Sequence, residues 1–230
     1  MTGALLALWN GARPEALAEY ETWHGIEHAP ERLGAPGFRF ARRYRAEEGA
    51  AGGFFTWYGL DDLGALETPA YAALQSDPTA WSARMRRSLT GFRRLPGRIL
   101  AEEGRGLGGA LVTLRRPGPA AAAWAALAAP VRAALRQGAL LRYAFAEAAQ
   151  QGQAYSVFPD APAPGEEGLL LLEGTEPGPL AGLATRLAAP GDELGQWRLL
   201  QSVARSELPE AARQAPRDDL ETAWRGGGAG

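Results

Sequence analysis

Both histidines of the chain fall in one hexapeptide, Trp23-His24-Gly25-Ile26-Glu27-His28. Read as H-x-x-E-H, it is the inverted zinc-protease pattern, in which two imidazoles at i and i+4 hold a metal and Glu27 activates water. The same spacing suits metal-free acid/base work, because an imidazole titrates near neutrality and can move a proton or orient a carbonyl. It also suits an ordinary helix surface. The flanking residues weigh against zinc. Gly25 weakens a helix inside the motif, and Pro30 interrupts one directly after it. The chain has no cysteine, so thiolate ligands, disulfides and cysteine nucleophiles are excluded together. No metal is expected at His24 and His28.

A helix from Pro14 to about His28 puts Tyr20, His24 and His28 on one stripe by i, i+4 spacing, with Leu17, Trp23 and Ile26 on a neighbouring one. The segment 38–46, "FRFARRYRA", alternates as a strand does, with Phe38, Phe40, Arg42 and Tyr44 sharing a face. If that face lined a cleft under the helix, the cleft would be aromatic with a few polar groups, which suits a planar organic ligand. The candidate ligand-binding residues are therefore His24, Arg42, Tyr44, Trp9 and Trp57. For any one of the aromatics, core packing is the plainer role.

These residues sit in a repeating order of elements. The first half has a strand at 4–10, the helix from Pro14, strands at 38–46 and 54–60, a helix capped by Asp61 or Asp62 that carries Leu63, Leu66, Tyr71 and Leu74, and a strand within 88–102. The second half has a strand at 109–116, an alanine-rich helix at 119–137, strands at 139–148 and 168–174, a helix at 178–188 and a strand at 195–204. "RRYRAEE" at 42–48 and "LRYAFAE" at 141–147 echo each other at the same place in the order. The expected class is α+β: two ferredoxin-like βαββαβ repeats packed sheet to sheet as an intramolecular pseudo-dimeric α+β barrel. The expected division is 1–103, 104–206 and a partly ordered tail, 207–230. The segment 149–167 is long for a hairpin and is read as a lid or an edge segment.

Composition narrows the partners. In 230 residues, 46% are hydrophobic and 22% charged, ordinary for a globular protein with its own core, and the net charge of −2 argues against a dedicated nucleic-acid binder. No apolar run approaches the length of a membrane span. A cytoplasmic protein is expected, with a small organic ligand as partner, neither nucleic acid nor membrane, and self-association compatible with the sequence. No cofactor is assigned. The glycine runs lack the strand-to-helix context of a nucleotide site, and a haem would have only His24 or His28 as axial ligand.

The segment "YETWHGIEHAPERLGAPGFRFARRYRA" resembles EthD-like members of the dimeric α+β barrel superfamily. The matching positions are Trp23, Glu27, His28, Glu31, Arg32, Pro36, Gly37, Phe38, Arg42, Arg43 and Tyr44, and "YAALQSDPTAWSARM" follows the same pattern. The close match covers about residues 4–100, while the second half matches in element order alone and has no counterpart of His28. The resemblance implies that His28 is the candidate catalytic acid/base. It also implies an enzyme of oxygenase, cyclase or isomerase type acting on an aromatic or polyketide-like compound. The alternative is a non-catalytic binding or structural pseudo-dimer, so whether the chain is an enzyme stays open at this point.

Overall fold

The computed structural model describes residues 3–47, 53–149, 157–158, 161–163, 165–213 and 218–227. Strands β1 (Ala4–Ala12), β2 (Phe38–Ala46), β3 (Phe54–Leu60) and β4 (Leu89–Gly104) form the first half-sheet, and β5 (Ala110–Pro117), β6 (Arg142–Ala148), β7 (Glu167–Gly174) and β8 (Glu193–Ala204) form the second. The strand order β1-β3-β2-β8-β5-β7-β6-β4 closes into a barrel in which every pairing is antiparallel. Each half has the order 4-1-3-2 of a ferredoxin-like unit, and the fourth strand of each pairs with the second strand of the other, β4 with β6 and β8 with β2. The two expected repeats are thus joined edge to edge as well as face to face, which leaves no open sheet edge to recruit another chain.

The pleat sorts the side chains into an inside and an outside. Leu5, Ala7, Tyr44, Phe55, Trp57, Leu95, Leu111, Leu169, Leu171 and Trp197 fill the barrel, as side chains do in eight-stranded barrels. The opposite faces carry the helices. α5 (Ala120–Arg136) and α6 (Pro177–Leu187) cover the second half over Val112, Leu114, Leu170 and Leu172. The run "LLLL" at 169–172 is continuous because both of its faces are buried.

Two expectations about alternation change here. Phe38 does not share a face with Phe40, Arg42 and Tyr44: a bulge between Phe38 and Phe40 turns Phe38 to the helix side, against Tyr58 and Tyr71. Gly59 makes room for the inward Phe40 ring, which a Cβ at that position would meet at 2.1 Å. The echo of Arg43-Tyr44 in Arg142-Tyr143 is not structural equivalence either. Tyr44 and Arg142 face the barrel interior, while Arg43 and Tyr143 face the helices, because an offset of one residue reverses every side chain.

The first helix also runs further than expected. α1 (Leu17–Trp23) passes through a π-helical turn (His24–His28) into α2 (Ala29–Gly34) without a break. Pro30 falls in the first turn of α2, where its missing N–H is tolerated. The wide turn supplies the phase change, with the Ala29 amide donating to the His24 carbonyl. The expected helix over 61–74 is divided: Asp62 caps a short 3-10 turn, Thr68 caps α3 (Pro69–Ser76), and Thr79 caps α4 (Ala80–Arg86).

Glu27 fastens the π-turn to α4. Its Oε1 accepts hydrogen bonds from Thr79 Oγ1 at 2.7 Å, Ser82 Oγ at 3.0 Å and Trp23 Nε1 at 3.1 Å. Glu27→Gln keeps the shape but weakens three charge-assisted bonds, and is expected to destabilise the fold by about 1–2 kcal/mol. A urea midpoint equal to that of the wild type would refute this account of the clamp.

Of the expected tail, residues 207–213 and 218–227 are described. α8 (Asp218–Gly227) stacks Trp224 on Trp81 at 5.6 Å, and Glu221 pairs with Arg84 at 2.7 Å. Of the proposed lid or edge segment, 150–156, 159–160 and 164 lie outside the described residues. No described helix is long and apolar enough to cross a membrane.

Candidate functional site

A cavity lies between the first half-sheet and the helical segment that carries the histidines. Leu6, Leu8 and Asn10 of β1 and Thr56 and Tyr58 of β3 form its floor, Tyr20, Trp23, His24, His28 and Arg32 its roof, and Tyr71, Arg86, Leu89 and Phe92 its wall. The roof is the i, i+4 stripe of the sequence continued by one step to Arg32. The polarity of this helix is the reverse of the usual pattern. His24 is 4% exposed, while Leu17 and Ile26 of the apolar stripe are 39% and 44% exposed, so of that stripe Trp23 alone anchors the helix in the core. The cavity volume is about 40 Å³, room for about three waters and none for a porphyrin. It continues past Leu89, Phe92, Val157 and Phe158 into a groove of about 530 Å³ that also takes in Gly91, Arg93, Ala161 and Pro162. Phe92 and Phe158 stack at 4.0 Å where the two spaces meet.

The imidazoles are held close together, with ring centroids 5.1 Å apart. His24 Nε2 lies 3.4 Å from Thr56 Oγ1. His28 packs on Trp23 at 4.4 Å. The Nδ1 atoms of both histidines are buried without a hydrogen-bond partner. Burial, above all, pushes both rings well below their ordinary titration range. Arg43 and Arg32 add to this at His24, and Arg32, His24, Arg86 and Arg43 add to it at His28. Both are therefore neutral at pH 7 and can accept a proton. Burial raises the Tyr20 hydroxyl, opposed by Arg43 and by Asn10, whose Nδ2 donates to Tyr20 Oη at 2.9 Å. Among the described residues no group of three His, Asp or Glu side chains is placed to hold a metal.

Of the residues singled out from sequence, the fold brings His24 and His28 to this cavity and takes the other four elsewhere. Arg42, Tyr44, Trp9 and Trp57 point into the barrel, on the other face of the same sheet. Tyr44 and Trp57 are core, with Trp9 packed against them. Arg42 stacks on Phe40 and Trp57 and pairs with Glu173. The alternation along 38–46 was right in period for these residues. Which face meets the helices depends on the partner sheet, and in β2 it is the face of Ala41 and Arg43. Among the polar cavity residues, the sequence reading kept Tyr58 only as a contributor that depended on register, and it left Arg32, Thr56, Asn10 and Arg86 out of the site. For Arg32 a signal existed in its i+4 step from His28. For Thr56 and Tyr58 the alternation within "FFTWYGL" held one, because they oppose Trp57.

No protein-family profile matches the sequence, and no curated protein does. Solved structures do. An anthrone oxidase-like protein superposes with a TM-score of 0.62 at 12% identity, over 94% of this chain and 96% of the other. A proposed monooxygenase from Lactobacillus acidophilus NCFM gives 0.58 at 7% identity over 89% and 97%, and one from Fusobacterium nucleatum 0.55 at 8% over 90% and 97%. Identities this low speak for architecture and not for chemistry. What the chain shares with these proteins is the fold, a dimeric α+β barrel closed within a single polypeptide.

Proposed function

We propose that the protein binds an aromatic or polyketide-like small molecule at the His24–His28 cavity and oxidises it, with His28 as the base. The observation that carries this reading is the pair of neutral imidazoles, their Nδ1 atoms buried and unpartnered, in a largely apolar and aromatic cavity that also holds Arg32 and Arg86. A neutral imidazole can take a proton from an activated C–H beside a carbonyl, and a neighbouring guanidinium stabilises the enolate that results. For an anthrone, the enolate then reacts with dioxygen: the ring methylene loses two hydrogens and gains one oxygen atom, and the second oxygen leaves as water. The reacting edge would enter the inner cavity while the rings lie in the groove.

The likeness of the His28 segment to EthD-like proteins supports the same reading, as does the anthrone oxidase-like neighbour. A second reading, a non-catalytic binder, draws on the small inner volume, which admits no aromatic ring. Dioxygen uptake with dithranol as probe separates the two. The wild type is expected to consume dioxygen and form the quinone, and His28→Ala to lower turnover about 100-fold while still folded. Uptake no faster than the uncatalysed rate would sink the oxidase reading.

A further inference from the structure

We infer that this cavity selects a ligand carrying a single negative charge, a carboxylate or phenolate on an aromatic body, and that Arg32 is the residue that pairs with it. The inference rests on the reading of the cavity as a ligand site and adds the charge of what enters.

The cavity has cations and no described carboxylate in its lining. Arg32 is 5% exposed, yet it forms no ion pair with a described residue. Its Nη1 is buried without a hydrogen-bond partner, and its Nη2 makes one long contact, 3.5 Å, to the Leu74 carbonyl. Its guanidinium lies 5.7 Å from the centre of the Tyr71 ring. Arg86 is committed differently, with Nη1 and Nη2 donating to the Gln75 and Leu74 carbonyls at 2.8 and 2.7 Å. Glu27, next to His28 in sequence, turns its Oε1 to Trp23, Thr79 and Ser82 and does not line the cavity, and neither does Glu31. A buried guanidinium without a counter-charge is destabilising unless something supplies one. Here the space beside it is the cavity itself.

Size completes the argument. About 40 Å³ admits an oxyanion head group and excludes an aromatic ring, while the adjoining groove of about 530 Å³ is lined mainly by Leu89, Phe92, Val157, Phe158, Ala161 and Pro162. Arg93, the one cation among the described residues that line the groove, is already paired with Glu167 at 3.1 Å. A small anionic head inside and an apolar planar body outside fit both spaces.

The test is binding at pH 7.5, followed by tryptophan fluorescence, of two charged and neutral pairs: 2-naphthoate with 2-naphthamide, and 2,4-dinitro-1-naphtholate with its methyl ether. At least one anion is expected to bind tenfold or more tightly than its neutral partner, and which pair discriminates identifies the head group. Arg32→Met should abolish the preference, and Arg32→Lys should keep part of it. Because Arg32 is uncompensated in the free protein, Arg32→Met should raise the melting temperature without ligand. Equal affinity within both pairs, binding of neither anion at millimolar concentration, a preference that survives in folded Arg32→Met, or a lowered melting temperature in that variant would each overturn the inference. Anion preference without dithranol oxidation would remove the oxidase reading and leave this one; oxidation without anion preference would do the reverse.

Discussion

Replacing Glu173 by alanine is expected to destabilise the protein by about 3–5 kcal/mol, among the largest losses available to a single substitution in this fold. Glu173 is the penultimate residue of β7, with its side chain inside the barrel, 1% exposed. Both carboxylate oxygens accept from Arg42 Nη1 at 3.1 Å, Oε1 accepts from the Tyr44 hydroxyl at 2.9 Å, and Arg142 Nε lies 3.8 Å from Oε2. Burial pushes the Glu173 carboxyl up, while Arg42, the Tyr44 hydrogen bond and Arg142 hold it down. Burial and the Glu173 charge together push the Tyr44 hydroxyl well above its usual range. Alanine would leave the Arg42 guanidinium and the Tyr44 hydroxyl buried without their acceptor. The double variant Arg42→Met/Glu173→Leu should recover most of the loss, because removing both charges also removes their desolvation. Denaturant unfolding of Arg42→Met, Glu173→Leu and the double variant measures this, and a double variant as unstable as the sum of those two singles would refute it. Since Arg42 faces away from the histidine cavity, Arg42→Met that still folds should bind aromatic ligands as the wild type does.

Stability should also fall steeply on mild acidification, by about 4 kcal/mol between pH 7 and pH 5 for as long as both histidines stay neutral in the folded state. Burial, and then the nearby arginines, hold His24 and His28 well below 6.5 in the folded protein. The unfolded chain protonates them near that value. Below it the unfolded state binds more protons, so unfolding becomes easier as pH drops, by up to about 1.4 kcal/mol per pH unit for each ring. The contribution is complete above pH 6.5 and is lost downward, until the folded-state values are reached. Glu173 works in the other direction, since its raised carboxyl takes up a proton in the folded state first, and this opposes the slope at the acid end. Urea unfolding at pH 7, 6 and 5 gives the slope, and His24→Gln/His28→Gln should flatten it. An unchanged slope in that double variant would show that other groups govern the acid limb.

The architecture was legible in the sequence because it is written in local signals. Short apolar runs ended by glycine and proline, and a helix after the first and third strands of each half, specify βαββαβ twice. An unpaired face on each sheet then requires a partner, which the other half provides. The site was half legible. Tyr20, His24 and His28 lie on one stripe by helical spacing alone, and the structure places that stripe on the cavity. Arg32 is one step further along it.

What the sequence could not decide was which face of β2 meets the helices, because a period of two is the same seen from either side. The choice fell to the partner half, where Glu173 on β7, 131 residues from Arg42, draws Arg42 and Tyr44 into the barrel and leaves Arg43 on the helix side. The continuation of the first helix past Pro30 was likewise a tertiary decision. Glu27 held by Thr79 and Ser82, and Trp23 buried in the core, stabilise a wide turn that a proline and a glycine would disfavour in an isolated helix. The sequence determined which elements exist and which residues travel together. The pairing of the two halves determined inside from outside, because only long-range contacts can break the symmetry of a strand's two faces.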